Sequence, residues 1–142
     1  MSLPPSNFTF LLKEFGDIIY NIKDGDGTGQ KSSISFQRKT IRFMDDSKLY
    51  ITERLLARNN GFYIDFYYYD WVAKNEKEIL KFHSEVHLNP AYQTATEPYH
   101  VHPAKHLILH GKDRLPNSQH QDLYSILEFI RFHLLAIKAI TD

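Results

Sequence analysis

A chain of 142 residues with 17 basic and 17 acidic side chains has no formal net charge, so no overall field draws it to polyanions. It contains no cysteine, which excludes disulfides, thiolate zinc sites and cysteine nucleophiles and leaves imidazole and carboxylate chemistry open. No run approaches the roughly 18 apolar residues of a membrane span, and Met1-Ser2-Leu3-Pro4-Pro5 lacks the basic flank and apolar core of a signal peptide. The expectation is therefore one soluble, cytoplasmic domain over residues 1–142, with no membrane partner.

Phe8, Leu11, Leu12, Phe15, Ile18, Ile19 and Ile22 recur at helical spacing behind Ser6, an N-cap residue type, while Gly16 disfavours continuation. This predicts a helix over about 5–15 with an extended segment after it. Lys23 to Gln30 holds three glycines and two aspartates and reads as a turn. Its faint likeness to a calcium loop fails because no glutamate closes the twelfth position.

From Ser33 to Ser84 the hydrophobic period becomes two, with turn signals at Asp45-Asp46-Ser47, Asn59-Asn60-Gly61 and Lys74-Asn75-Glu76-Lys77, as in an antiparallel meander. Leu49, Ile51, Glu53 and Leu55 share one strand face, making Glu53 either a partnered buried carboxylate or an exposed edge residue. Phe62, Ile64, Phe66 and Tyr68 line one face of the next strand, with Tyr63, Asp65, Tyr67, Tyr69 and Trp71 on the other. A short strand follows from Ile79 to His83.

After Ser84 no period is readable until about residue 104, and three prolines keep this stretch extended. Lys105 to His110 reads as a strand ended by Gly111, with a helix as the alternative. Ser118 followed by Gln121 suggests a capping box for a helix over about 119–139, whose stripe is Leu123, Ile126, Leu127, Ile130, Leu134 and Ile137. The predicted fold is α+β: a meander of about five or six strands packed by an N-terminal helix and a long C-terminal one.

Six of the eight histidines (83, 87, 100, 102, 106 and 110) fall in one 28-residue stretch, with Glu85 and Glu97 among them. In an extended segment His100 and His102 point to the same side. Three readings compete: histidines packed at a surface and core edge, ligands to a divalent metal, or acid–base and phosphate-contacting groups acting on RNA.

Several segments together resemble the TumE-type family of small prokaryotic toxins of toxin–antitoxin pairs, over roughly residues 18–130. These are Asp45 to Glu53, beside a turn-and-strand that ends in a glutamate; Phe66 to Trp71, beside a tyrosine-rich strand; Lys81 to His87, beside Arg-Tyr-Asp-Asn-x-Pro-His; and Pro98 to His102, beside Pro-His-His-x-His. Asp46, His83, Ser84, Val86 and Tyr99 depart from the pattern. The resemblance implies a toxin-like function with a helix-turn-helix antitoxin as partner, and carries over Glu53, His87, His100, His102 and, conservatively, Lys81.

Together with the histidine cluster it gives an expected ribonuclease-type site of His100, His102, His87, Glu53 and Lys81. His87, His100 and His102 are the metal-ligand alternative. RNA and a second copy of the chain are the further partners considered, and a non-enzymatic metal-binding or protein-interaction domain, or an inactive family member, is the rival reading.

Overall fold

The computed structural model describes residues 3–108 and 111–141. Seven strands form one sheet: β1 (Ile19–Asp24), β2 (Phe36–Phe43), β3 (Lys48–Arg58), β4 (Gly61–Val72), β5 (Glu78–His83), β6 (His100–Pro103) and β7 (Leu115–Pro116). Their order in the sheet is their order in the chain, and every neighbouring pair is antiparallel. Helix α1 (Phe8–Glu14) precedes the sheet and α2 (Leu123–Thr141) follows it. The architecture is the expected α+β meander, with a strand more than expected: β6 lies in the stretch that shows no period, and the two-residue β7 pairs with it from beyond that stretch. None of the described helices is long and apolar enough to cross a membrane.

The turns explain the meander. At the β2–β3 corner Asp45 accepts from the Ser47 N–H at 3.0 Å while Asp46 takes φ 69°. Asn59 and Asn60 span the two-residue turn that pairs Arg58 with Gly61, and Asn59 takes φ 42°, a conformation asparagine tolerates. Such corners close antiparallel neighbours directly and need no crossover. In the glycine-rich loop, Asp26 accepts from Thr28 and Gln30 and Asp24 from Ser32, so both carboxylates serve the loop itself.

Cross-strand registry sorts side chains onto two faces. The row Ile51, Tyr69, Phe82, Val101 faces the helices, where Leu123, Ile126, Leu127 and Ile130 of α2 and Leu11 of α1 join the core. Fully burying such a side chain stabilises by about 1.5–3 kcal/mol. The adjacent rows, Thr52–Tyr68–His83–His100 and Tyr50–Asp70–Lys81–His102, point away from the helices.

Local expectations fail where tertiary structure intervenes. Asn7, not Ser6, caps α1, accepting from Phe10 N–H at 3.1 Å, because Ser6 is drawn to Glu53. The proposed Ser118–Gln121 capping box does not form: α2 starts at Leu123, and Asp122 accepts from Ser125 N–H at 2.7 Å. A register shift at Asp65 lets Ile64 join Tyr67, Tyr69 and Trp71 in the core, breaking the strict alternation expected of β4. Lys105–Leu107 is a 3-10 turn, not a strand, and residues 109 and 110 lie outside the described residues. The α2 stripe is buried through Ile130, but Ile137 is 47% exposed.

Candidate functional site: a histidine face on the open side of the sheet

β5 and β6 pair His83 with His100 and Lys81 with His102, so three imidazoles arrive on the outer face by registry alone. Their ring centroids lie 4.8 Å (His83–His102), 4.9 Å (His100–His102) and 5.7 Å (His83–His100) apart. The segment between β5 and β6 folds back over this row and brings His87 to 5.0 Å from His100, which is fully buried. Asn89 caps a short 3-10 turn at Pro90–Tyr92, and Gln93 donates to the His87 carbonyl at 2.7 Å, which fixes the fold-back.

Hydrogen bonds determine the ring tautomers. His83 Nε2 lies 2.8 Å from Asp70 Oδ1, His100 Nδ1 3.0 Å from the Pro98 carbonyl, and His102 Nδ1 3.0 Å from the Asp113 carbonyl. Carbonyls and carboxylates only accept, so each of these nitrogens donates and the opposite nitrogen of a neutral ring keeps its lone pair. His83 Nδ1 and His100 Nε2 are buried with no partner among the described residues. Two groups bring one ligand atom per residue within 4.8 Å of one another: His83, His100 and His102, and Glu85, His87 and His100.

Burial lowers the His100 pKa, assisted by the charges of His83 and His87. Burial, then His83, His100 and Arg114, lower His102 to about 4. Both rings are therefore neutral near pH 7. Burial pushes the Glu85 carboxyl up, but the Tyr68 hydroxyl, donating at 2.8 Å, and the imidazoles overcome it and hold Glu85 below its usual range. His87 sits between carboxylates, Nε2 at 3.6 Å from Glu85 and Nδ1 at 3.5 Å from Glu97. A cleft of about 300 Å³ opens beside His83 and His102, with Glu78, Lys81 and Lys105 on its wall.

The structure thus gathers four of the five expected site residues, His87, His100, His102 and Lys81, on one face, although Lys81 is tied to Glu78 at 2.8 Å. Glu53 is not with them. It lies on the helix side, fully buried, accepting from Ser6, from Gln37 at 2.9 Å and from the Tyr69 hydroxyl. The expectation that it joins the histidines is corrected by strand parity: Glu53 pairs with Tyr67, and Tyr67 faces away from Tyr68 and His83. Arg54 does share the outer face but stacks over Phe36 at 5.0 Å, on β3. His106 is exposed in the 3-10 turn.

Sequence reasoning missed His83 as a site member, and with it Asp70, Tyr68 and Arg114. The signal for the first three was the Lys74–Lys77 turn, since the hairpin it closes sets Tyr68 opposite His83 and Asp70 opposite Lys81. Nothing in the sequence ties Asp113 and Arg114 to His102, because that contact depends on the path of the chain after β6.

Fold and site together define an α+β meander protein with a histidine face. No family model, curated protein or solved structure matches this chain.

Proposed function

We propose that this chain acts on RNA through the histidine face, as the toxin-like member of a toxin–antitoxin pair. The observation that carries the reading is the convergence of His83, His87, His100 and His102, from separate strands and a loop, with His83 and His102 lining a cleft that bears Lys81 and Lys105. Structural histidines at a core edge have no need to be collected in this way.

RNA offers a 2′-hydroxyl next to each phosphodiester, and strand cleavage requires that hydroxyl to lose a proton while the leaving 5′-oxygen gains one. His102, with its pKa held near 4, is a proton acceptor at neutral pH and not a donor. It takes the base role in this reading, with His100 behind it. His87, between Glu85 and Glu97, carries the proton to the leaving oxygen, and Lys81 swings from Glu78 to the phosphate. Glu53 has no part.

The test is incubation of purified protein with single-stranded and structured RNA. Removal of both His100 and His102 by alanine is expected to lower cleavage by about 100-fold or more. Full cleavage by that double variant would end the reading. Expression in a host without an antitoxin supplies a second readout, growth arrest by the wild type and not by the double variant.

A further inference from the structure

We propose that His83, His100 and His102 form a binding site for one divalent transition-metal ion of the zinc type, with a coordination position left open toward the cleft. The proposal concerns the same face as the RNA reading but does not depend on it, because metal uptake is measured without any substrate. Since His100 and His102 each have one free lone pair, the base role given to His102 belongs to the metal-free protein.

Three independent features of the rings support it. The first is the lone pairs. Each imidazole has one nitrogen committed as a donor, to Asp70, to the Pro98 carbonyl or to the Asp113 carbonyl, and the other nitrogen is free to ligate. A carboxylate or carbonyl behind each ring is the arrangement that orients metal-bound histidines and raises their basicity.

The second is burial. His83 Nδ1 and His100 Nε2 are shielded from solvent with no acceptor or donor opposite them among the described residues. A buried polar atom without a partner costs free energy, and ion ligation removes that cost. The third is proximity: one ligand atom from each of the three residues lies within 4.8 Å of the other two. Metal–nitrogen bonds of about 2.0–2.1 Å put tetrahedral ligand atoms roughly 3.4 Å apart, so closure needs movements of about an ångström.

The donor set selects the ion. Three neutral imidazoles suit zinc, cobalt, nickel or copper, whereas calcium and magnesium require oxygen cages. Three protein ligands with an open position mark a reactive site more than a structural one, since structural zinc sites are closed by four. Two of the three ligands, His83 and His102, also line the cleft that carries Lys81 and Lys105, which suits an anionic ligand such as a phosphate ester.

Glu85, His87 and His100 form the competing set. His100 has a single free nitrogen, so it serves one ion at a time. The first set is favoured because both of its other rings are already locked by hydrogen bonds. In the second, Glu85 also accepts from Tyr68. The His87 ring is held by no hydrogen bond among the described residues, its carboxylate neighbours lying at 3.5 and 3.6 Å and its buried Nδ1 unpartnered like those of the first set.

The experiment uses tag-free full-length protein dialysed against chelator, titrated with zinc by calorimetry and with cobalt(II) by visible absorption. One equivalent is expected, with a tetrahedral cobalt spectrum. His83→Ala and His102→Ala should each weaken binding by at least about 100-fold, and Asp70→Asn by about 10-fold. His106→Ala and His87→Ala should bind as the wild type does.

Since a variant of the buried cluster can lose its fold, the metal-free wild type is also examined by long-range proton–nitrogen NMR. It should show the Nε2–H tautomer for His83 and Nδ1–H for His100 and His102. Absence of stoichiometric uptake, uptake that survives both alanine variants, loss in His87→Ala alone, or the opposite tautomers would each overturn the proposal. An ion bound to a protein that leaves RNA intact would retain the site and remove the RNA reading, and cleavage without uptake would do the reverse.

Discussion

The two faces of the sheet treat buried polar groups in opposite ways. On the helix side, Glu53 is fully buried among Leu49, Ile51 and the tyrosines, and Ser6, Gln37 and Tyr69 all donate to it. Nearby, Tyr67 donates to the Gln121 carbonyl at 2.7 Å and Trp71 to Ser47 at 3.1 Å. On the outer face, His83 and His100 each leave a buried nitrogen unpartnered among the described residues. A satisfied buried polar group holds a fold in register, while an unsatisfied one calls for a partner such as water, an ion or a ligand.

The strongest break of this comparison is Glu53→Ala, which strands several buried donors at once. It should cost about 3–5 kcal/mol in urea unfolding, yet folded protein should keep metal uptake and RNA cleavage. Lost activity with unchanged stability would merge the two faces. His83→Ala sharpens the contrast from the other side. It removes the hydrogen bond to Asp70 and should cost only about 1–2 kcal/mol in the metal-free protein, while abolishing uptake. Asp122→Ala removes the acceptor at the α2 N-terminus and should cost about 1 kcal/mol, leaving both faces alike.

The acid response separates the faces without mutation. His102 is lowered to about 4 by burial and neighbouring charges, so on acidification the unfolded chain binds its proton first. The unfolded state therefore holds more protons between about pH 6.5 and 4, and metal-free protein should lose stability progressively across that window. His102→Ala should flatten the loss, as read from urea midpoints at successive pH values. An unchanged slope would remove His102 as its source. The smallest effect on stability, read from the same urea midpoints, is expected of Lys81→Ala, whose partly exposed pair with Glu78 is worth less than about 1 kcal/mol.

Much of the fold was legible because its signals are local. Asn59-Asn60-Gly61 and Asp45-Asp46-Ser47 announce corners by backbone chemistry, and the α2 stripe announces a face. Caps were misread because Ser6 serves Glu53, far along the chain, and Gln121 reaches back to the Asn117 carbonyl in the turn before α2, neither of which a capping pattern marks. The bulge at Asp65 escaped because period two carries no mark of an inserted residue.

The site was partly legible. The spacing of His100 and His102 required only that the segment be extended, and it is. The position of Glu53 failed because similarity along the chain says nothing about which side of a sheet a residue occupies. Strand parity does, and it needs the register.

Because every strand pairs only with its neighbours in sequence, the ligand-bearing corner of β5, β6 and β7 stands at one end of a ladder that can be assembled rung by rung. Pairing each strand with its predecessor in the chain spares much of the entropic search that distant pairings demand. The corner can also open without unzipping the strands on the far side, so its amides should exchange with solvent sooner than those of β3 and β4. An ion shared by His83, His100 and His102 would clasp adjacent rungs together and slow that exchange.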